Sequence, residues 1–285
     1  MRSIQRYEVF RPGFIPVAAN DVPALDGIAE HTHEYLEVAV ISRGSGMHVT
    51  RYGSVAVSVG SVTLIRPGTW HSYKQPSDLW TFNLYLAQEL LHKEFAWIVE
   101  YPALAQVLLR GDVNPGRLDE SLTTRMLGWL EQIRQTPPRH EPTLLGLAAC
   151  VLDTLSELTE TTERDDDTST VGHEALKMMD LMRADLTAKW TIEQLAKAIH
   201  ASPAVVHRAF RTHVGLSPIA WLQQQRGELA ATQLVHTDKS VSEIGRAVGW
   251  DDPNYASRRF RALYGITPTE YRKRFVQSRA DPIPY

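Results

Sequence analysis

The chain has 285 residues, of which 43% are hydrophobic and 22% are charged, and its formal net charge is -3. This length suits about two domains, and the composition is that of an ordinary globular protein. Cys150 is the sole cysteine, which excludes an internal disulfide framework, and no apolar run approaches the ~20 residues that a membrane-spanning helix needs. Because the start of the chain also lacks the apolar stretch of a secretory signal, we expect a cytoplasmic protein with no membrane partner.

The charge is unevenly distributed along the chain. Residues 171–285 contain 16 Lys+Arg against 11 Asp+Glu, a net charge of +5, whereas the rest of the chain carries -8. A basic region attached to an acidic one favours a polyanionic partner such as nucleic acid. The stretch TETTERDDDTST at 159–170 has no apolar residue and predicts a solvated linker.

The N-terminal part contains two kinds of pattern. Residues 8 to about 87 form short β-rich runs separated by glycines, which predicts a small sandwich or barrel. From about 88 to 160 the hydrophobic period becomes helical. One set recurs at 4-3-4-3 spacing, as in the seam of a short coiled coil, and predicts a dimer interface of Leu144, Ala148, Val151, Leu155 and Leu158. A helix packed on its own domain fits this spacing equally well.

The C-terminal third contains one segment twice. The copies begin at Thr191 and Ser240 and align at an offset of 49, then of 50, so one residue is inserted in the second turn. Each copy predicts a capped helix, a turn, and a second helix that starts at Ser202 or Asp252, each followed by proline. Gly215 and Gly265 fit the left-handed residue that ends each of these second helices. This is the helix-turn-helix unit, whose second helix enters the major groove of DNA.

The faces of the second helices predict the DNA contacts. In the first copy Val206 and Phe210 are expected to point inward, and in the second copy Tyr255 and Phe260 are expected to do so. The opposite faces are then exposed and basic, with arginine suited to guanine or phosphate and asparagine to adenine. The predicted DNA-binding residues are His207, Arg208, Arg211, Asn254, Ser257, Arg258 and Arg261.

Residues 174–274 resemble the DNA-binding domain of the AraC/XylS transcription regulators over its whole length. The matching residues are Leu195-Ala196, Ser202, Arg208, Phe210, Gly215, Ser217-Pro218, Arg226, Ala230, Leu234, Ile244, Val248-Gly249, Arg258, Phe260, Gly265, Pro268 and Tyr271-Arg272. The resemblance implies two helix-turn-helix units joined by a long helix at about 218–236, which reach successive major grooves ~34 Å apart. Gly227 departs from the family, which usually has a larger residue there, and a helical glycine costs ~1 kcal/mol.

The N-terminal part resembles the cupin-like effector domain of many members of this family. HTHEYLEVAVISRGSG matches the first cupin motif, and GSVTLIRPGTWH approximates the second. The resemblance implies that His31, His33, Glu37 and His71 meet at the mouth of a barrel. These side chains either hold a divalent metal or hydrogen-bond a polar effector without one, so we expect no required cofactor, with a metal in the barrel as the alternative.

The effector pocket predicted from this resemblance consists of His31, His33, Glu37, Arg66, His71 and Trp80. The stretches LIRPGTWH and LWTFNLYL are similar to those of the rhamnose-responsive branch of the family. This similarity suggests that the effector is a sugar or another carbohydrate metabolite.

Together these patterns predict an α+β protein of two domains. A cupin-like β-barrel followed by dimerisation helices is expected at 1–160, a linker at 161–172, an all-α domain with two helix-turn-helix units at 173–274, and a tail at 275–285.

The predicted function is a sequence-specific DNA-binding transcription regulator, not an enzyme, under the control of a small-molecule effector. Its expected partners are double-stranded promoter DNA, the effector, a second copy of the chain, and RNA polymerase if the protein is an activator. A metal-dependent cupin enzyme with a DNA-binding tail is the alternative, and metal-dependent turnover would identify it. A DNA-organising protein without a sensor role would need a barrel pocket filled by its own side chains.

Overall fold

Two long, bent strands organise the N-terminal sheet in the computed structural model, which describes residues 2–110, 113–158 and 166–276. They are β4 (Leu36–Thr50) and β7 (His71–Leu86). The shorter strands are β1 (Arg2–Ile4), β2 (Val17–Pro23), β3 (Ile28–His33), β5 (Gly53–Ser58), β6 (Ser61–Ile65) and β8 (Val113–Arg117).

The bend in this pair of strands depends on glycine. β4 and β7 pair in antiparallel fashion along their length, but the register shifts between Ile41 and Met47. Gly44 has a φ of 71°, and a Cβ placed there would lie 2.1 Å from the backbone oxygen of Asp78. Only glycine allows this close approach, and the irregular pairing lets each long strand turn from one half of the sheet into the other.

The sheet is open, which corrects the expected closed barrel. Its strand order is β1-β3-β7-β4-β6-β8, with β2 added along β7 and β5 added along β4. Among the described strands no ladder joins the two edges. The physical reason is the bend: the outer edge of β7 is shared by β2 and β3, and that of β4 by β5 and β6, so the sheet folds over without closing.

Two helices cover the sheet beside β2. The helices of this unit are α1 (Arg6–Val9), α3 (Glu120–Gln135) and α4 (Glu141–Thr154), whereas α2 (Pro102–Arg110) belongs to the helical unit. Short 3-10 turns lie at Gln88–His92 and Leu155–Leu158. Asp119 begins α3, because its carboxylate accepts a hydrogen bond from the Leu122 backbone N–H at 2.7 Å. The two helices pack on each other and on β2.

The predicted coiled-coil seam lies inside this unit. Leu144, Ala148, Val151 and Leu155 are at most 2% exposed in a single chain, and only Leu158 is half-buried. A side chain that is already covered by its own domain cannot also contact a second copy. The seam therefore does not form the dimer interface predicted from its spacing, and the alternative of a helix packed on its own domain is correct.

The second unit is helical. It contains α2 (Pro102–Arg110), α5 (Asp166–Ala184), α6 (Ile192–Ala198), α7 (Pro203–His213), α8 (Pro218–His236), α9 (Val241–Ala247), α10 (Pro253–Tyr264) and α11 (Pro268–Val276). α6 with α7, and α9 with α10, form the two helix-turn-helix units, and α8 joins them. No helix within the described ranges is long and apolar enough to cross a membrane.

The boundaries of the units differ from the predicted ones. Residues 95–110 belong to the helical unit, although they precede β8 of the sheet. The predicted linker at 161–172 is helical from Asp166 onward, where α5 begins, and α11 extends to Val276. Residues 159–165 of the acidic stretch and 277–285 of the tail lie outside the described residues.

The predicted caps are confirmed. Thr191 and Ser240 accept hydrogen bonds from the third backbone N–H of their helices, each at 3.2 Å, in reciprocal capping boxes. Ser202 and Asp252 cap α7 and α10. Gly265 ends α10 with a φ of 79°, the left-handed conformation that glycine adopts without strain. Local sequence therefore fixes where the helices of both units begin and where α10 ends.

Candidate DNA interface and effector site

The first recognition helix, α7, presents a basic face. Val206 and Phe210 are fully buried, as predicted, and the Phe210 ring meets the Trp221 ring of α8 edge-on at 6.2 Å. The opposite face is exposed and consists of Ala204, His207, Arg208 and Arg211. Its donors can therefore reach phosphates and base edges.

The second recognition helix, α10, is rotated by one residue from the prediction. Tyr255 is 37% exposed, whereas Ala256 is 3% exposed and takes the inward position with Phe260. The reason is helical spacing, since residues 256 and 260 lie four apart on one face and residue 255 lies beside it. A Cβ placed on Gly245 of α9 would be 3.3 Å from the Ala256 Cβ, so small residues allow the two helices to pack closely.

The outward face of α10 resembles that of α7 in its chemistry. Asn254, Arg258 and Arg261 are exposed and Ser257 is half-buried. Tyr255 adds an exposed aromatic residue that the sequence prediction had placed in the core. The seven predicted DNA-binding residues thus lie on two matching exposed faces.

A buried arginine connects the two helix-turn-helix units. Arg226 of α8 donates to the carbonyl oxygens of Leu186 at 2.6 Å and Ala188 at 2.9 Å, just before α6, and of Gly249 at 3.1 Å, in the turn of the second unit. Arginine is suited to this role because its planar fork carries several donors in fixed directions. These hydrogen bonds fix both units to the joining helix.

The glycine that departs from the family has a structural cause. A Cβ placed on Gly227 would lie 2.3 Å from Cδ1 of Leu263, in the last turn of α10. Nearby, the Trp250 indole N–H donates to Oε1 of Gln223 at 2.6 Å. The second helix-turn-helix unit therefore packs directly on α8, and a larger residue at position 227 would require the Leu263 side chain to move.

A cluster of histidines lies inside the sheet. His31 and His71 face each other across the β3–β7 pair, with ring centroids 4.1 Å apart. Ligand atoms of His31, Glu37 and His71 all lie within 4.8 Å of one another. The His33 Nε2 atom is 3.0 Å from Glu37 Oε2 and the His71 Nε2 atom is 4.0 Å from it. Three of the four predicted side chains therefore converge as a ligand set, and His33 lies next to their carboxylate.

The hydrogen bonds of the histidines orient their lone pairs. Nδ1 of His31 lies 3.0 Å from the Ala29 carbonyl oxygen, and Nδ1 of His33 lies 2.8 Å from that of Tyr35. A carbonyl only accepts, so each Nδ1 carries the proton and each Nε2 keeps its lone pair. Metal-binding histidines commonly have this outer contact. The buried Nε2 atom of His71 has no hydrogen-bond partner, and that of His33 faces the Glu37 carboxylate.

Burial sets the protonation of His71. Loss of solvent, followed by the neighbouring imidazoles of His31, His33 and His48, holds the pKa of His71 well below its ordinary value. The ring is therefore neutral near pH 7 and can donate a lone pair. His48, whose Nε2 is 3.4 Å from His71 Nδ1, was missed by the sequence prediction, because strict alternation from Glu37 would place it on the other face and only the register shifts in β4 bring it to the cluster.

Trp80 and Arg66 are the remaining predicted pocket residues. Tyr85 is directly opposite Glu37 in the β4–β7 register, and side chains alternate along a strand, so Trp80 points to the other face of the sheet. Its assignment to the pocket is corrected on that ground. Arg66 is buried in the turn before β7, where its carbonyl accepts from the Thr69 N–H at 3.1 Å.

The sheet domain contains a buried cluster and an open groove with different lining residues. His31, His33, Glu37 and His71 are at most 7% exposed, and ligand atoms of His31, Glu37 and His71 lie close enough together to share an ion. Beyond the bend, an open groove of about 370 Å³ is lined by Ser45, Gly46, Met47, Ala56, Val57, Ser58 and Gln75. Small-molecule sites usually have volumes of ~300–1,000 Å³.

Comparison with known families agrees with these features. Residues 22–176 match the AraC-like ligand binding domain, and residues 195–274 match a helix-turn-helix domain. The two matched regions and the paired recognition helices define a DNA-binding transcription regulator with a ligand-binding domain. The chain belongs to the AraC family of such regulators.

Full-length relatives are transcriptional activators rather than enzymes. The chain is 26% identical to the HTH-type transcriptional activator RhaR of Klebsiella pneumoniae subsp. pneumoniae, over 95% of this chain and 96% of that protein. It is 27% identical to RhaR of Enterobacter sp., over 90% of this chain and 92% of that protein. These relatives have the same function class as the one predicted, and the enzyme alternative loses its support.

Solved structures share the fold. ToxT of Vibrio cholerae with a bound unsaturated fatty acid gives a TM-score of 0.51 at 13% identity, over 93% of this chain and 97% of that one. A 1.65 Å structure of ToxT gives 0.52 at 11% identity, over 91% of this chain and 98% of that one. The likeness shows a common two-domain fold and, at this identity, nothing about the ligand.

Proposed function

We propose that this protein activates transcription in the cytoplasm in response to a sugar or carbohydrate metabolite bound in its sheet domain. The observation that supports this most directly is a ligand-binding domain with a buried polar interior, joined to two exposed basic recognition faces. Similarity to the RhaR activators supports both the sugar class and a contact with RNA polymerase.

The proposed DNA contacts are the two matching faces. α7 and α10 would enter successive major grooves on one side of the duplex, with arginines contacting guanine or phosphate. An effector changes this binding only if it has different affinities for the DNA-competent and DNA-incompetent arrangements.

A panel of sugars, sugar acids and polyols tests the effector class. The probe is a duplex selected by the full-length protein from a random pool, and its affinity is measured by fluorescence anisotropy with each compound. We expect one carbohydrate to change the affinity by about tenfold, within the usual range of coupling between sites. A compound that raises the melting temperature without changing DNA affinity is not the effector, and failure of the whole panel contradicts the sugar class.

Two variants locate the effector once it is found. His71→Ala opens the histidine cluster, and Ala56→Trp fills the groove beyond the bend. If the cluster binds the sugar, as predicted, only His71→Ala should weaken binding. If Ala56→Trp alone weakens it, the effector lies in the groove and the predicted pocket is wrong.

As a second function of the same domain, we propose that the histidine cluster holds a divalent metal. His31, Glu37 and His71 would be its ligands, with His33 beside the carboxylate, and their chemistry suits iron, manganese, nickel or zinc. The supporting observations are the His71 Nε2 atom, which is buried without a hydrogen-bond partner, and the buried Glu37 carboxylate, which needs a positive neighbour. When bound, the metal would supply a positive centre for the oxygens of an effector.

Elemental analysis of tag-free protein tests the metal. We expect about one metal ion per chain in the wild type and in a control variant, His140→Ala, whose exposed histidine directly precedes α4. His31→Ala and His71→Ala should lose it. Equal metal in all four proteins, or none after dialysis against each candidate ion, contradicts the proposal.

A homodimer through the outer face of α4 is the third part of the proposal. The residues on that face are Leu145, Gly146, Ala149 and Cys150, and between Glu141 and Asp153 the helix has no charged residue. A Cβ placed on Gly146 would meet nothing within 4 Å, so the chain itself gives no reason for a helical glycine there. An apolar, uncharged outer face is typical of an interface.

The single cysteine makes the dimer testable. A bismaleimide should cross-link Cys150 between two chains, and Cys150→Ser should not react. Leu145→Glu and Ala149→Glu should halve the mass in solution, whereas Gln132→Glu on the exposed side of α3 should not. A dimeric mass in both α4 variants would place the interface elsewhere. Charge at Val151 or Leu155 would instead unfold the domain, because both are buried.

A further inference from the structure

Residues 95–110, here called the strap, belong to the helical unit although the strands before and after them belong to the sheet unit. β7 ends at Leu86 and β8 begins at Val113, and both strands belong to the sheet. The strap between them, which consists of a 3-10 turn (Ala96–Glu100) and α2, packs in the helical unit instead. Both of its ends are thus tethered to the effector-binding sheet.

The strap is tightly packed on α5. Ile98 and Val99 are fully buried, as is Ala105 of α2. A Cβ placed on Gly172 of α5 would lie 2.9 Å from the Val99 carbonyl oxygen. Such a close approach of two backbones needs glycine, so this contact is specific rather than a loose apolar cover.

The strap also holds the end of the first recognition helix. The Gln106 side-chain N–H donates to the backbone oxygen of Thr212 at 2.7 Å. That oxygen is one of the last carbonyls of α7, which have no partner within the helix. A Cβ placed on Gly215, just beyond the helix, would lie 3.3 Å from the same side chain. Gln106 therefore caps α7 from outside.

A buried histidine lies at this contact. His213, in the last turn of α7, is fully buried, and neither of its ring nitrogens has a hydrogen-bond partner of normal geometry. The pKa of His213 is raised by the Val99 backbone of the strap and lowered by the charge of His173 on α5. The strap, α5 and α7 thus meet at one point.

The strap contacts α7 on the side away from DNA. His207, Arg208 and Arg211 remain exposed on the opposite face, so the strap does not block their access to a duplex. We propose that the strap positions the first recognition helix, so that the effector-binding sheet controls DNA affinity at the first unit and not directly at the second. This rests on the proposed DNA contact of α7.

Three variants of the full-length chain test this positioning role. Gln106→Glu removes the donor and places a negative charge at the negative end of a helix, whereas Gln106→Lys restores a donor there. Gln132→Glu, exposed on α3, is the matched control. Hydrogen exchange is followed at residues 205–216 and 253–264, and a hydroxyl-radical footprint is taken on a duplex selected by the wild-type protein.

We expect Gln106→Glu to raise exchange at 205–216 by about three- to tenfold, as for the loss of one hydrogen bond, and to leave 253–264 unchanged. The footprint should weaken only in the half that Arg208→Ala also weakens. Gln106→Lys should restore both signals.

Three outcomes would overturn the proposal. Exchange in Gln106→Glu that equals the control shows that the strap does not hold α7. Equal changes in both units show general destabilisation. Faster exchange at 205–216 with an intact footprint shows a contact without influence on DNA. By contrast, an unchanged footprint in Arg208→Ala contradicts the proposed DNA contact of α7 and leaves the strap's hold on that helix standing.

Discussion

The two helix-turn-helix units follow one sequence pattern but depend on different neighbours. α7 of the first unit is held at its end by the strap, through Gln106. α10 of the second unit packs directly on α8, where Gly227 makes room for Leu263. Equivalent recognition helices can thus be positioned by unrelated contacts. Changes that act on one unit and not on the other are the sharpest tests of this difference.

The largest loss of stability is expected at Arg226, which donates hydrogen bonds to both helix-turn-helix units. Arg226→Ala leaves three carbonyl oxygens without their donor, and the loss of charged, buried hydrogen bonds should lower the free energy of unfolding by about 3 kcal/mol or more. Chemical denaturation measures this, and hydrogen exchange should show that both units loosen. Loss of protection in only one unit would mean that Arg226 does not connect them.

Substitution of the matching arginines compares the two reading faces. We expect Arg258→Ala and Arg208→Ala each to weaken binding to the selected duplex by ~1–3 kcal/mol and to relax sequence choice at different positions. Binding to scrambled DNA should weaken less. If either variant loses the same affinity on both duplexes, that arginine contacts only phosphate, and its unit reads less sequence than the other.

Two glycine-to-alanine substitutions compare the stability effect of a tightly packed helical position with that of an open one. Gly227→Ala should destabilise by about 1 kcal/mol, because overpacking against Leu263 outweighs the gain in helix propensity. Gly128→Ala on α3, where a Cβ would meet nothing within 4 Å, should instead stabilise by up to ~1 kcal/mol. Thermal melting of both variants checks the sign. Stabilisation by Gly227→Ala would show that Leu263 moves aside freely.

The smallest effect is a pH dependence confined to the first unit. Burial lowers the pKa of His213 below its ordinary 6.5, against the opposing Val99 backbone and together with the charge of His173. When the first helix-turn-helix unit opens, His213 regains its ordinary pKa and binds more protons than in the folded state. The stability that comes from burying the neutral ring is therefore complete above about pH 6.5 and is lost as the pH falls below it. Protection factors at 205–216, which correct for the intrinsic pH dependence of exchange, should fall on acidification. His213→Leu, which matches Leu263 of the second helix-turn-helix unit, should abolish that loss of protection.

Local patterns predicted the helical unit well. Caps such as Ser202 and Asp252, and the exposed positions of Arg208 and Arg258, follow from spacing and turn chemistry alone. The error at Tyr255 was a rotation of one residue: Ala256 lies four residues before Phe260 and aligns with Val206 at the offset of 50, so the helical period itself places residue 256 in the core. The prediction instead placed the larger apolar residue, Tyr255, inward against that period.

The sheet domain was predicted less completely. The motif of His31, Glu37 and His71 indicated which side chains would meet, and the register of β3 with β7 brings them together. Trp80 was assigned to the wrong face, and the Val151 seam to the wrong surface, because spacing does not say which side of an element faces its own core. The open sheet depends on the bend at Gly44, which sequence alone does not locate.

The sequence by itself determined the family, the two helix-turn-helix units and the residues on their exposed faces, because these depend on contacts between residues close in the chain. Only the tertiary structure decided which contacts hold each recognition helix in place. Gln106 meets Thr212 across more than a hundred residues, and Gly227 meets Leu263 on another helix. Neither contact has a local signal, since an apolar helix such as α2 can bury its face against any partner of matching shape.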